Sequence, residues 1–248
     1  NTEEILLNGL SKKDDLASGG RHMSNHFAKP EWNIHNVSSV TGNHTLHAVG
    51  VARAMKRYNH KGVAISSQGE SSVSEGFVYE AINGASREKL PVIFVFQDNK
   101  YGISVPKRDQ TANYMVAENF SGLMNLRIIY CDGKSVFDSM NAMVEAKRHA
   151  LEKQEPVIVH ASTVRIHSHS NSDRHELYRD ETERHCVKIS DPFDRLRTVL
   201  IRSGRFSEAE LLEIEEEAQK EVMAAHKKVI RAADPSPDSI FNFVSPEP

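Results

Sequence analysis

Two cysteines in 248 residues, Cys131 and Cys186, are too few and too unpatterned for a disulfide framework, and a reducing compartment is expected. No apolar run approaches the ~20 residues that a membrane-spanning helix needs. An excess of basic charge is also missing: 31 Lys and Arg stand against 34 Asp and Glu, for a formal charge of −3. That balance gives no reason to invoke nucleic acid. Internal repeats and low-complexity tracts are absent. What remains is a chain of 39 % hydrophobic residues, enough for one α/β domain with a sizeable core. It opens at Asn1 rather than Met, which is compatible with a removed targeting segment or a truncation.

The most informative stretch is Gly62–Ser104. Two β-branched, apolar runs, Gly62–Ser66 and Leu90–Phe96, flank a segment with helical spacing. Each run ends in small or polar groups: Gln68-Gly69-Glu70-Ser71-Ser72 after the first, Gln97-Asp98-Asn99 after the second. This predicts a strand–helix–strand unit with two polar loops at the carboxyl ends of parallel strands, where open parallel sheets bind their ligands. Asn99 follows Glu70 by 29 residues, about one βαβ repeat, so adjacent strands bring the two together. A carboxylate and an amide oxygen suit a hard cation such as Mg²⁺ or Ca²⁺, and Mg²⁺ usually shares its shell with phosphate. Gly69 permits close backbone approach to such a phosphate, and Ser71 and Ser72 supply donors. The plainer alternative is a βα loop with Ser74 as helix N-cap and Glu75 in the first turn.

The whole string resembles the thiamin-diphosphate motif of the α subunits of 2-oxoacid dehydrogenase E1 components. That pattern runs G-D-G, N-E-G, E-A-x-N, L-P-V-I-F-V and N-N-x-Y-x-I-S. The matching residues are Gly69-Glu70-Ser71, Ser74-Glu75-Gly76, Glu80–Asn83, Leu90–Val95 and Asp98–Ser104. The resemblance implies an α/β, thiamin-diphosphate-binding fold, a mainly parallel sheet with helices on both faces. It also implies that Glu70, Asn99 and the Tyr101 backbone carbonyl hold the metal. Two departures stand out: the family's aspartate is Glu70 here, and the following glycine is Ser71. The extra methylene moves the carboxylate by roughly 1.5 Å, and octahedral Mg²⁺ tolerates that poorly.

The resemblance extends along the chain. Gly19–His26 is similar to the family's G-x-G-R-x-M-x-x-H loop, and the segment from Ser39 to Thr41 corresponds to one that reaches the aminopyrimidine end of the cofactor. From the residues alone, Ser38–Asn43 is equally a Ser/Thr/Gly turn before a helix. Leu126–Cys131 and Pro156–His160 read as further buried strands, and Val136–Leu151 as a helix with Val136, Met140, Met143, Val144 and Ala146 near one face. Asp191 opens another helix that ends near Gly204, and Ser207–Ala233 reads as one long, solvated helix. The organisation expected is a family domain over 1–233, followed by a Pro-rich tail or linker over 234–248.

The histidine-rich segment Arg165–Arg179 is the second chemical feature. His167, His169 and His175 suggest zinc, but their spacing fits no compact four-ligand site, and a polar functional loop is the simpler reading. The segment resembles the family's R-x-H-G-H-S-x-S-D loop through Arg165, His167, His169, Ser170, Ser172 and Asp173, with Ser168 in place of the glycine. The resemblance implies that Arg165 and His169 meet the cofactor, that His169 is catalytic, and that Ser170 corresponds to a phosphorylation site of some members.

For the protein as a whole, the resemblance implies thiamin diphosphate and Mg²⁺ as cofactors. The implied reaction is oxidative decarboxylation of a 2-oxo acid, with acyl transfer to the lipoyl group of an E2 partner. A β subunit or fused β domain is expected to complete the site. Family α subunits carry roughly a hundred further residues before this point, about a small domain's worth, including a Tyr-Arg pair that grips the diphosphate. Arg21-His22-Met23 and Ser38-Ser39 lean toward the branched-chain type, His167 toward the pyruvate type. The location implied is the cytoplasm for a bacterial chain and the mitochondrial matrix for a eukaryotic one. Glu70 and Ser71 also leave open a degenerate α-like assembly domain with weak or no cofactor binding.

Overall fold

The computed structural model describes residues 1–244. Two compact units emerge, Val40–Ser203 and a smaller one made of Asn1–Ser39 with Gly204–Pro248. Within the larger unit, four parallel strands form a sheet in the order β1 (Ala64–Gly69), β2 (Val92–Asp98), β6 (Val157–Ser162), β5 (Arg127–Asp132). Helices α2 (His44–Arg57) and α3 (Gly76–Glu88) cover one face and α4 (Val136–Lys153) the other.

The sequence dictates this layering. Strand β2 has period two: Val92, Phe94 and Phe96 enter the core beneath α2 and α3, while Ile93 and Val95 face the α4 side. A strand buried on both faces must read as a continuous apolar run, as Val-Ile-Phe-Val-Phe does. At the edge, β1 alternates instead, with Ala64, Ser66 and Gln68 buried and Ile65 and Ser67 exposed.

Two local expectations are corrected. The apolar stripe expected on α4 is buried only in part: Ala146 and, beside it, Met143 meet the sheet, together with Ala142 and Ala150. Met140 and Val144 are 60 % and 65 % exposed, because small residues let the helix lie close to β5 and β6 and turn its larger apolar side chains outward. Nor does Ser74 cap α3. It ends a 3-10 turn, Ser71–Ser74, and the N-cap is Glu75, whose side chain makes no capping bond. Ser74 Oγ accepts instead from Gln110 Nε2 at 3.2 Å.

In the smaller unit, α1 (Thr2–Gly9) packs on α7 (Glu208–Val229). A capping box at Ser207 and Glu210 starts α7. Asp15 organises the following loop by accepting from Ser18 Oγ (2.6 Å), Ala17 N (3.0 Å) and Gly20 N (3.3 Å). Burial alone raises its pKa, but these donors outweigh burial and the net shift is downward. Gly20 has φ +78°, and a Cβ there meets the Ser11 carbonyl oxygen at 2.5 Å, so only glycine fits. The tail expected from residue 234 is tied down at its start, where Lys12 pairs with Asp234 at 2.8 Å, and Pro237–Phe241 forms a 3-10 turn. Its last residues, 245–248, lie outside the described residues.

Candidate active site

At the carboxyl ends of β1 and β2 the chain makes two polar loops, and Glu70 joins them. Its side chain is 1 % exposed. Glu70 Oε2 accepts from the Asn99 backbone N–H at 3.1 Å, and Oε1 accepts from Ser71 Oγ at 3.2 Å. Among the described residues no Lys, Arg or His forms an ion pair with it. Burial raises its pKa above the ordinary carboxylate value, against the lowering effect of the Asn99 donor. The Asn99 amide oxygen accepts from Tyr101 N at 3.3 Å, closing a tight turn at the end of β2.

Beneath this turn lies a buried charge cluster. Asp98, the last residue of β2, accepts from Lys107 Nζ and, at 2.8 Å, from His160 Nε2 on the neighbouring strand β6. Its other oxygen accepts from the Lys100 N–H at 3.1 Å. Lys107 and His160 are 2 % and 1 % exposed, and Lys107 Nζ also sits 3.9 Å from the Tyr114 ring centroid. Lys107 N donates to Lys100 O at 2.8 Å, so the cluster pins both ends of the loop that carries Asn99 and Tyr101. That loop contains a two-residue hairpin, β3 (Tyr101–Gly102) with β4 (Val105–Pro106), and holds Lys100 and Ile103 at φ 75° and 57°. A β-branched residue in the left-handed region costs of order 1–3 kcal/mol and persists only where surrounding bonds over-determine it.

Those bonds come from the histidine-rich segment and from α5 (Glu181–Lys188). Arg165 Nη2 donates to Ile103 O (2.8 Å) and to Tyr178 Oη (2.7 Å), while its Nε and Nη1 are buried without partners. Asp173 Oδ2 accepts from His169 N (2.7 Å) and Tyr178 Oη (2.6 Å). Glu183 on α5 receives Tyr101 Oη at 2.8 Å and Arg179 Nε at 3.0 Å, and Arg179 Nη1 donates to Arg165 O at 2.8 Å. A cavity of about 390 Å³, lined by Asn99, Lys107, Thr163, Arg179 and Cys186 among others, opens beside the turn.

The family model described as "Dehydrogenase E1 component" matches residues 1–238. The chain belongs to that family. It is 33 % identical over 231 residues to the mitochondrial 2-oxoisovalerate dehydrogenase subunit alpha of Macaca fascicularis, covering 92 % of this chain and 51 % of that protein. It is 30 % identical over 246 residues to the 2-oxoisovalerate dehydrogenase subunit alpha of Bacillus subtilis, covering 98 % and 73 %. To the mitochondrial pyruvate dehydrogenase E1 component subunit alpha of Solanum tuberosum it is 31 % identical over 236 residues, covering 95 % and 59 %. The chain thus spans about half the length of the mammalian relatives it matches.

Of the residues that the E1 resemblance singled out, the fold brings Gly69, Glu70, Ser71, Ser72, Asn99 and Tyr101 to one end of the sheet, with Arg165 on Ile103 beside them. His169 and Ser170 follow on the same segment with exposed side chains, ordered through Asp173, which also donates its own N–H to Ser170 O at 3.1 Å. Thr41 is exposed in the turn before α2. Ser39 belongs to the smaller unit, where its hydroxyl lies 2.9 Å from His26 Nε2. Among the described residues no three His, Cys, Asp or Glu side chains converge as metal ligands, so His167, His169 and His175 do not form a zinc cluster. Sequence reasoning missed Asp98, Lys107, His160, Arg179 and Glu183 as parts of the site. One signal was available, a histidine inside the buried run Val157–Ala161.

Proposed function

We propose that this E1 chain acts in the oxidative decarboxylation of a branched-chain 2-oxo acid, with thiamin diphosphate and Mg²⁺ as cofactors. It works with a β subunit or β domain and passes the acyl group to the lipoyl arm of an E2 partner. The observation that carries this reading is Glu70, a buried carboxylate with no basic partner, bonded to the backbone N–H of Asn99 in the turn that also carries Tyr101. Burying such a charge is costly unless a cation meets it. The donor set fits the ion: a carboxylate offers about four lone-pair sites and two are used here, and the oxygens of Glu70, Asn99 and Tyr101 are all hard donors.

Glu70, Asn99 and the Tyr101 carbonyl would hold Mg²⁺, and Thr41, Gly69, Ser71 and Ser72 would contact the cofactor. Bound thiamin diphosphate supplies the electron sink for decarboxylation. The two unpartnered nitrogens of Arg165, Nε and Nη1, are suited to an anionic oxygen. His169, held through its backbone by Asp173, would hold or deliver a proton at the substrate oxygen. Exposed apolar side chains on α4 and on α6 (Pro192–Arg202), including Met140, Val144 and Phe193, favour an assembled form. The branched-chain substrate follows the relatives named for 2-oxoisovalerate. The location follows the eukaryotic relatives too, which are named as mitochondrial.

The second reading, an assembly domain with weak or no cofactor binding, draws on the two Glu70 oxygens already having donors. Calorimetric titration of thiamin diphosphate into the full-length chain assembled with its β partner separates the two. Micromolar, Mg²⁺-dependent binding supports the enzyme. No binding, with recovery in a Glu70→Asp, Ser71→Gly variant, supports the assembly domain. A lower KM for pyruvate than for 2-oxoisovalerate would overturn the substrate assignment.

Ser170→Glu is expected to reduce decarboxylation at least tenfold. Ser170 Oγ lies 3.1 Å from Ser172 Oγ, and its carbonyl receives the Asp173 N–H, so a new negative charge enters the same turn as the Asp173 carboxylate that orders His169. The same mechanism gives phosphorylation of Ser170 an inhibitory effect. Steady-state rates of the assembled variant, with Ser170→Ala as the neutral control, check it; an unchanged rate for Ser170→Glu refutes it.

A further inference from the structure

Ser71, directly after Glu70, meets Gly102 across two loops. Ser71 is fixed from two sides. Its hydroxyl donates to Glu70 Oε1 at 3.2 Å, and its carbonyl accepts from Gln110 Nε2 at 2.6 Å. Its side chain lies directly against Gly102 in the β3–β4 hairpin. A Cβ on Gly102 would stand 2.9 Å from Ser71 Cβ and closer still to the hydroxyl oxygen. Real Cβ contacts do not come that close, and here neither side is free to move. Gly102 is held by its pairing with Val105 and by the Tyr101–Glu183 bond next to it. It is not among the positive-φ glycines, so it is required for space and not for backbone conformation.

We propose that Ser71 and Gly102 form a complementary pair that positions the Glu70 carboxylate as the anchor for the divalent cation of the diphosphate. The Ser71 side chain occupies the volume that a side chain at 102 would fill. Its hydroxyl grips one carboxylate oxygen while the Asn99 N–H grips the other. The Glu70 side chain is thereby held at both oxygens, which limits its rotamer freedom. Ser71 is a positioning residue acting through Glu70. The inference rests on the cofactor site proposed above.

The test is a double-mutant cycle on the full-length chain assembled with its β partner. The readout is the Mg²⁺ concentration that half-saturates thiamin diphosphate binding, followed by calorimetry, with the melting temperature of each assembly recorded alongside. Gly102→Ala is expected to raise that concentration at least tenfold. Ser71→Gly and Ser71→Ala, which lose the hydroxyl donor, should each raise it about three- to tenfold. The double variant Ser71→Gly, Gly102→Ala should be no worse than Ser71→Gly alone, because the clash has gone.

If instead the two effects multiply, or Gly102→Ala changes nothing, the pairing is wrong while the cofactor site stands. Absence of Mg²⁺-dependent binding in the unsubstituted assembly overturns the site and the pairing with it. Should Gly102→Ala fail to assemble, recovery of assembly in the double variant reads the same coupling, and no recovery overturns it.

Discussion

Asp98→Ala should lower the unfolding free energy by about 3–5 kcal/mol, the usual cost of removing one partner from a buried ion pair. The substitution leaves the Lys107 ammonium, 2 % exposed, without a counter-charge and strips His160 Nε2 and the Lys100 N–H of their acceptor. Against a typical total of about 5–15 kcal/mol this is a large fraction. At roughly 2–4 °C per kcal/mol for a domain of this size, it should shift the melting temperature by about 10 °C. Urea denaturation gives the value directly.

The pH dependence provides a second reading of the same cluster. Burial by itself raises the Asp98 pKa, but the bonds from His160 and Lys107 outweigh burial and hold it below 3.8. Its stabilising contribution is therefore complete above the unfolded value near 3.8 and is lost as pH falls through the lower folded value. Asp98→Ala should remove that part of the acid transition. A companion variant, Asp98→Leu with Lys107→Met, replaces the pair by apolar groups and should recover most of the loss. If Asp98→Ala costs under about 1 kcal/mol, the cluster does not hold the loop.

The second large effect has opposite signs in two measurements. Glu70→Gln should abolish Mg²⁺-dependent cofactor binding, a loss of at least about 100-fold expected for a charged ligand of a hard cation. The same substitution should stabilise the cofactor-free protein at neutral pH by about 1–2 kcal/mol, as relief of a destabilised functional group commonly does. Burial, together with the neighbouring Asp98 charge, raises the Glu70 pKa above 4.5. The folded state therefore binds the proton more tightly than the unfolded chain. Ionised Glu70 costs stability as pH rises through the raised value, whereas protonated Glu70 costs little. The gain from Glu70→Gln should accordingly be present at pH 7 and vanish near pH 4. Saturating Mg²⁺ and thiamin diphosphate should reverse the order by stabilising only the unsubstituted protein. Thermal melts at the two pH values, with and without the ligands, test all four arms. A variant no more stable than the parent at pH 7 would show that Glu70 does not carry a buried, uncompensated charge.

Much of this molecule can be read along the chain because its strands are buried on both faces or on one. Val92–Phe96 must be a central strand, since no other element hides five consecutive large apolar residues so economically. The loops after β1 and β2 follow from where those runs stop, and with them the meeting of Glu70 and Asn99. Capping chemistry equally fixed the starts of α6 at Asp191 and α7 at Ser207.

What the tertiary structure alone decided are the choices that period and propensity leave degenerate. On α4 the stripe through Met140 and Val144 and the stripe through Ala142, Ala146 and Ala150 have the same helical spacing, and only the close approach of the sheet selected the smaller side chains. The charge cluster joins Asp98 to Lys107 and to His160, residues 9 and 62 positions apart. Ser71 meets Gly102 across two loops. Such contacts leave no periodic trace, because each depends on strand order and on the shape of a turn. The sequence by itself determined the layers and the place of the crevice. Which side chains hold Glu70 within it was settled by the packing of neighbouring loops, where a single Cβ is enough to decide the fit.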